Sequence, residues 1–489
     1  MESRNERLRV VDALLLKPGP SAALFQDLKL DEVGAKACCL LLKSAIEHQQ
    51  RGDWEICHEV ALKAREYAWE QLHSGPSWQA VAQVHRDAYG VAGTLVAVAI
   101  FLSGATGSLD KAVYTLDLVA LMAGGRFQAV ANLFIEHMEA HAQLGPNVAP
   151  TNSSGAAAAG LVPATPAGMG PIEPRLKKAK RGRSPGMNEL PGAAGGVRRI
   201  RMPPLHVFQR EYMETSTPVI LTGVMDGWPA LGLGGQGSRD WSNPSYLRAV
   251  AGRRTVPVEL GGCYTSDGWR QELMTVGDFI GRFIEPTEDD SNPNPSETGA
   301  TSADRTQFSA DKAHASAGAA PRGETAYLAQ HELFDQIPPL RRDIMTPDYC
   351  ALLLADEEDD GGAESVATNA WFGPGGTVSP LHNDPFHNLL AQVVGSKRVL
   401  LVDRKLSAAV YPLPGLMTNT SEVDAANPDL SKHPLFAEAM PLVECELRKG
   451  EMLYIPPLFW HHIESLEVSF SVSFWWGKRR ALSEVLPSR

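Results

Sequence analysis

The sequence predicts an α+β chain: an all-α N-terminal domain, then a domain of short strands in a sandwich or jelly roll. Three observations carry this. Apolar residues recur at three- and four-residue spacing over roughly the first 145 positions. A Pro-, Ala-, Gly- and Ser-rich stretch follows, with little to bury. From Val197 on, short β-type runs alternate with Gly/Pro turns. The 489 residues suffice for two domains and a linker, and a hydrophobic fraction of 44% supplies the core. The expected boundaries are 1–145 (helical), 146–196 (linker) and 197–489 (strands).

In the helical part the periodicity is clearest at Leu8, Val11, Leu14 and Leu15, and around Leu40, Leu41, Leu42 and Ile46. Asp31, Asp53, Ser77 and Ser108 each precede such a run and suit N-caps. Helices near twenty residues with short connections imply an antiparallel bundle or short solenoid. No clean repeat is visible, so no named repeat family is expected. The most apolar stretch, Val91 to Leu102, is too short to cross a bilayer and reads as a buried helix segment. His48, His58 and His73 are scattered and form no catalytic set, which leaves an interaction role for this part. The N-terminus lacks the apolar core of a signal peptide, and the six cysteines form no CxxC pair. Both point to a reducing, intracellular setting.

The linker carries a dense basic run, Arg175 to Arg183, a nuclear-localisation candidate in a chain whose net charge is −12. That acidic balance argues against non-specific nucleic-acid binding. Beyond it, Pro218 to Gly223 and Val256 to Leu260 read as strands. The stretch 285–324 is polar and low in complexity and is expected to be a disordered insertion. A second acidic run, Asp356 to Asp360, reads as a solvated loop. Further strands are expected at Ser365 to Phe372, Asn388 to Val394, Lys397 to Val402, Glu451 to Ile455 and Val468 to Trp476.

Chemistry concentrates between Trp371 and Val402. His382 and Asp384 form a His-x-Asp pair after a Gly/Pro turn; on a strand, residues two apart share a face. A later histidine completes a set of two imidazoles and one carboxylate, the facial ligand set of mononuclear non-haem iron(II). His461 is chosen over His462 because it shares parity with Leu453, Ile455, Phe459 and Ile463, an apolar inward face. His387 has the opposite parity to the pair and is expected on the site wall or the surface. Three open iron positions suit a bidentate 2-oxo acid and dioxygen, and the far carboxylate then needs a cation. Lys397 is the candidate, the alternative being a turn lysine after Gly395. Tyr327, Ser379 and Asn388 are available as donors.

These residues, with Thr217 to Ala230, Arg254 to Trp269, Tyr327 to Pro338 and Phe470 to Trp476, resemble the jumonji-C family. The resemblance is to its short subgroup with an N-terminal helical domain, which includes a lysine-specific demethylase also described as an arginyl hydroxylase, and a plant circadian regulator. It implies a double-stranded β-helix, cupin-like barrel with flanking helices. It also implies iron(II) held by His382, Asp384 and His461, and 2-oxoglutarate held by Tyr327, Asn388 and Lys397, with Ser379 a further candidate; dioxygen is the other co-substrate. Glu259, Trp269 and Trp371 match positions lining the family's substrate pocket, where a carboxylate between aromatic rings suits a cationic side chain. For the aromatics, plain core packing is the alternative. Asn383, Phe386 and His387 depart from the animal pattern without removing a ligand.

The expected activity is hydroxylation of a protein side chain: an arginyl C–H bond, or an N-methyl-lysine with loss of formaldehyde. The implied substrate is a protein or histone tail, with a partner protein on the helical domain, no sequence-specific nucleic-acid contact, no membrane, and a nuclear role that extends to the cytoplasm. Two competitors stand beside it: a catalytically dispensable jumonji-C binding module in transcriptional regulation, and a cupin-type hydrolase or isomerase using another metal.

Overall fold

The computed structural model describes residues 7–8, 11, 36–74, 81–144, 196–233, 239–265, 268–285, 324–357 and 366–481. The basic run, nearly all of the 285–324 insertion, Leu14, Leu15, Asp31 and Ser77 lie outside the described residues.

Among the described residues five long helices precede the strands: α1 (Lys36–Arg51), α2 (Trp54–His73), α3 (Gln83–Ser103), α4 (Ser108–Ala123) and α5 (Gly125–Leu144). α3 runs through the middle and is apolar nearly all round, with Val91, Leu95, Val98 and Phe101 buried. It begins well before Val91, because Gln83 to Tyr89 continue the turn despite their polarity. Its 21 residues are therefore long and apolar enough to cross a membrane by length and composition, contrary to the shorter segment read from sequence. Most of it is covered by neighbouring helices, as in the core helix of a globular stack. Close packing there depends on Gly93, where a Cβ would clash with Val119 Cγ2 on α4. The N-cap expectations need correction. Asp53 precedes α2 but makes no side-chain cap bond, its carboxylate standing 3.5 Å from His48. Ser108 is already inside α4, whose cap is Gly107.

The second part is a jelly roll. Its strands are β1 (Arg199–Arg201), β2 (Val219–Thr222), β3 (Thr255–Leu260), β4 (Arg270–Thr275), β5 (Ala326–His331), β6 (Ala367–Gly373), β7 (Val378–His382), β8 (His387–Val394), β9 (Ser396–Val402), β10 (Val443–Arg448), β11 (Glu451–Ile455), β12 (Trp460–Ser465) and β13 (Ser469–Trp476). They form a nine-stranded sheet, β1-β2-β11-β8-β13-β6-β5-β3-β4, facing a four-stranded sheet, β10-β9-β12-β7. Short helices flank the strands; in Pro244–Ala251 the Asn243 side chain caps the first turn through the Ser245 N–H.

Two-residue alternation sorts these strands into layers. Leu390, Val399, Leu401, Leu453 and Ile455 fill the space between the sheets. Their neighbours Leu389, Ala391, Met452, Tyr454, Val472 and Phe474 face outward onto a second core beneath the flanking helices. Leu400, Val402 and Trp460 face outward from the small sheet and are covered by the 403–442 connection. That connection also closes the free side of β7. Thr420 bridges His382, and the Ser421 N–H donates to Leu381 O at 2.8 Å.

Two sequence expectations fail here. His387 is neither site wall nor surface: it is fully buried on the outward face of β8, with Nδ1 2.8 Å from the Tyr454 hydroxyl and Nε2 3.3 Å from Glu357. Glu357, expected in a solvated acidic run, is buried too, accepting from the Leu354 N–H and lying 3.4 Å from Arg480. An acidic run shows composition only; a partner from the distant C-terminal segment draws this carboxylate inside. Residues 358–360 of that run are outside the described residues.

Candidate metal centre

Register brings the first two site residues together. β12 pairs with β7 so that His461 stands opposite His382, and their ring centroids are 4.2 Å apart. His461 shares its face with Ile463, which packs into the inter-sheet core, while Trp460 packs into the core on the other side. His462 shares the parity of Trp460, and neither of its buried ring nitrogens has a hydrogen-bond partner among the described residues.

Asp384 reaches the same place by another route than expected. β7 ends at His382, so Asp384 is not on a strand. The connection carrying it is fixed at its backbone: Asp384 O accepts from the Leu458 N–H at 2.7 Å, and the Asn383 N–H donates to Asn419 O at 2.9 Å. Its carboxylate then stands 3.5 Å from His461 Nε2. One nitrogen or oxygen from each of His382, Asp384 and His461 lies within 4.8 Å of the others, the spacing of ligands around one ion.

The donor set fits a divalent metal in tautomer and in charge. His382 Nδ1 is 2.7 Å from Pro380 O and His461 Nδ1 is 2.9 Å from Phe459 O. Each carbonyl holds a proton on Nδ1 and leaves the Nε2 lone pair for a metal. Burial, then the neighbouring His461, pushes His382 down to about 4, so its imidazole is neutral. Burial pushes Asp384 upward, but the contact with His461 and the nearness of His382 outweigh that and hold it below the usual carboxylate range.

The triad opens into a cavity lined also by Tyr327, Trp371, Ser379, Asn388 and Lys397. Lys397 shares the parity of Val399 and Leu401, which turns it inward, and it is 1% exposed. It is therefore no turn lysine. Its Nζ donates to Tyr327 Oη at 3.0 Å, and burial pushes it down to about 7. A buried amine on the cavity lining, whose hydrogen-bond partner among the described residues is a neutral hydroxyl, marks a polar pocket suited to an anion. Trp371 forms a wall, its indole N–H donating to Ser473 Oγ at 2.9 Å.

Glu259 and Trp269 stand outside that lining. Glu259 faces Tyr327 across the β3–β5 pairing, and the Trp269 indole donates to it. Burial raises the Glu259 carboxyl above its ordinary range, against that bond. Trp269 is 37% exposed. Ile463, placed on the inward face by sequence parity, lines the cavity. Sequence reasoning missed three neighbours. Leu390 and Ser473 line the cavity too. Leu390 lies two residues from Asn388, so the parity argument that chose His461 would have found it. Tyr264, bonded to Thr420 at 3.3 Å and close enough to Asp384 and Glu259 to feel both charges, sits in a loop with no periodic signal.

A family model described as a cupin-like domain matches residues 204–481. The chain belongs to the cupin-like jumonji-C family. A second model, described as KDM8-like, N-terminal ARM repeats, matches residues 40–150. This corrects the expectation that no named repeat applies. Among jumonji-C relatives, the lysine-specific demethylase JMJ30 of Arabidopsis thaliana is 37% identical over 422 residues, 86% of each chain. The lysine-specific demethylase 8 of Danio rerio is 44% identical over 58% of each chain. The Jumonji C domain-containing protein 5 of Drosophila melanogaster is 38% identical over 57% of this chain and 59% of its own. The match thus spans little more than half of the zebrafish and fly proteins.

Proposed function

We propose that this chain is an iron(II)- and 2-oxoglutarate-dependent oxygenase that hydroxylates protein side chains. The observation that carries the reading is the convergence of His382, Asp384 and His461 on one cavity with the buried amine of Lys397. When bound, iron with 2-oxoglutarate and dioxygen supplies the oxidation, coupled to decarboxylation of the 2-oxo acid. The protein's own residues position and shield. His382 and His461 offer Nε2 lone pairs because the Pro380 and Phe459 carbonyls hold the other nitrogens. Asp384 adds a negative charge that a divalent cation neutralises. Lys397 pairs with the distal carboxylate of the co-substrate, with Tyr327, Ser379 and Asn388 as further polar partners. Trp371 closes one wall, and Glu259 with Trp269 receives a cationic side chain.

Arginyl hydroxylation and demethylation of N-methyl-lysine share this machinery. Glu259 favours a guanidinium, while the names of the Arabidopsis and zebrafish relatives favour a methyl-lysine. The basic run at 175–183 supports action in the nucleus on chromatin or clock components, with the helical domain docking a partner protein. Incubating the iron-loaded protein and 2-oxoglutarate with histone H3 and arginine-bearing peptides decides the matter by mass. One added oxygen marks hydroxylation, loss of one methyl marks demethylation, and no 2-oxoglutarate turnover with any peptide removes the oxygenase reading.

A further inference from the structure

Asp117 lies within α4, fully buried, and its carboxylate is bound mainly by the barrel. Oδ1 accepts from Arg254 Nε at 2.9 Å, from Arg254 Nη2 at 2.8 Å and from Gln336 Nε2 at 2.9 Å. Oδ2 accepts from the Thr255 backbone N–H at 2.7 Å. Gln336 also donates to Thr255 O at 2.7 Å, and its Oε1 is 2.6 Å from His331 Nε2. Arg254 immediately precedes β3, Thr255 begins it, and His331 ends β5. One carboxylate from the helical repeats thus pins the start of β3 and, through Gln336, the end of β5.

The opposite ends of these two strands carry site residues. Glu259 and Tyr327 face each other in the β3–β5 register, and the Tyr327 hydroxyl is the partner of Lys397. Ala326 and Leu328 anchor the near end of β5 in the core, but its ladders are short. Its pairing with β3 covers Glu259–Tyr327 and Leu260–Ala326, and its pairing with β6 is interrupted between Leu328 and His331, where Gln330 adopts φ 47°. A strand with a broken ladder takes its position from whatever holds its ends.

We infer that Asp117 is a positioning residue for the cavity, so that the helical repeats set where Glu259 and Tyr327 stand and are part of the catalytic unit as well as a docking surface. This rests on reading the cavity as the 2-oxoglutarate site. The test compares the full-length wild-type protein with Asp117→Asn, which keeps the side-chain shape and removes the charge facing Arg254. Backbone hydrogen–deuterium exchange should accelerate at 255–260 and 326–331 and stay unchanged at 378–382 and 460–465. With metal content unaltered, KM for 2-oxoglutarate should rise on the order of tenfold. Gln336→Met, which cuts the link to His331 and the bond to Thr255 O but leaves Arg254 and the Thr255 N–H on Asp117, should accelerate 326–331 more than 255–260, and it carries the test if Asp117→Asn does not fold. Unchanged exchange in β3 and β5, or an equal rise in every strand, overturns the inference. If the wild type turns over no 2-oxoglutarate, the proposed function falls, while the exchange pattern still decides whether Asp117 positions β3 and β5.

Discussion

The Lys397 amine and the Tyr327 hydroxyl meet at 3.0 Å from strands in opposite sheets, and no carboxylate among the described residues pairs with that amine. Burial alone brings Lys397 down to about 7. A bound dicarboxylate favours the charged form and raises its pKa, so above pH 7 binding takes up a proton. Affinity for 2-oxoglutarate should be flat below about pH 7 and fall by up to about tenfold per unit above it, until the pKa of the complex is reached. Calorimetric titration in two buffers of different ionisation enthalpy measures both the affinity and the proton. An affinity independent of pH would count against Lys397 as the anchor.

Replacing this amine should separate stability from function. Lys397→Met removes a buried, poorly paired polar group and keeps an unbranched chain, so the melting temperature should hold or rise. Binding of 2-oxoglutarate should weaken by about 2–5 kcal/mol. Thermal melts and a co-substrate titration on the same preparation check both; a large loss of stability would show that Lys397 holds the core.

The two adjacent histidines should behave as opposites. His461→Ala should abolish stoichiometric metal binding and turnover. His462→Leu, on the other face of β12, should retain both, because neither of its ring nitrogens has a partner to lose among the described residues. Metal analysis after dialysis against a weak chelator distinguishes them. Loss of metal in the His462 variant would reverse the assignment. If His382→Ala loses turnover but leaves the biological activity intact, the protein acts as a binding module.

Glu259→Gln should lower peptide turnover by about tenfold or more while leaving peptide-independent 2-oxoglutarate consumption unchanged. Because the Glu259 carboxyl is raised, its charge is lost at a higher pH than for an ordinary carboxylate. Wild-type KM for the peptide should therefore climb as pH falls through that range, and the Gln variant should not show the climb. Parallel succinate and peptide-mass assays read the two quantities.

What could be read from sequence followed from parity. Lys397, Asn388, His461 and Trp371 all sit on strands where alternation with Val399, Leu390, Ile463 and Phe372 dictates the side they face. Asp384 reaches the right place for a reason the sequence hid: the backbone of a turn held by Leu458 and Asn419, both distant in the chain. His387 and Glu357 were misjudged because each is buried by a partner far along the chain, and neither composition nor period encodes such pairs. Asp117 was invisible for the same reason. An acidic residue in an apolar helix shows nothing until Arg254 folds onto it.

The margin of the small sheet formed by β7 differs from the other sheet margins. β1, β4 and β10 end their sheets with exposed charges, among them Arg199, Arg201, Arg270, Glu444 and Glu446, which discourage a foreign strand from adding on. β7, which ends in His382, bears no such charge and is shielded instead by the chain around Thr420 and Ser421. Shortening that covering chain would leave an unpaired row of backbone donors and acceptors open to other copies. The expected symptom is self-association, seen as loss of soluble yield before any kinetic defect can be measured.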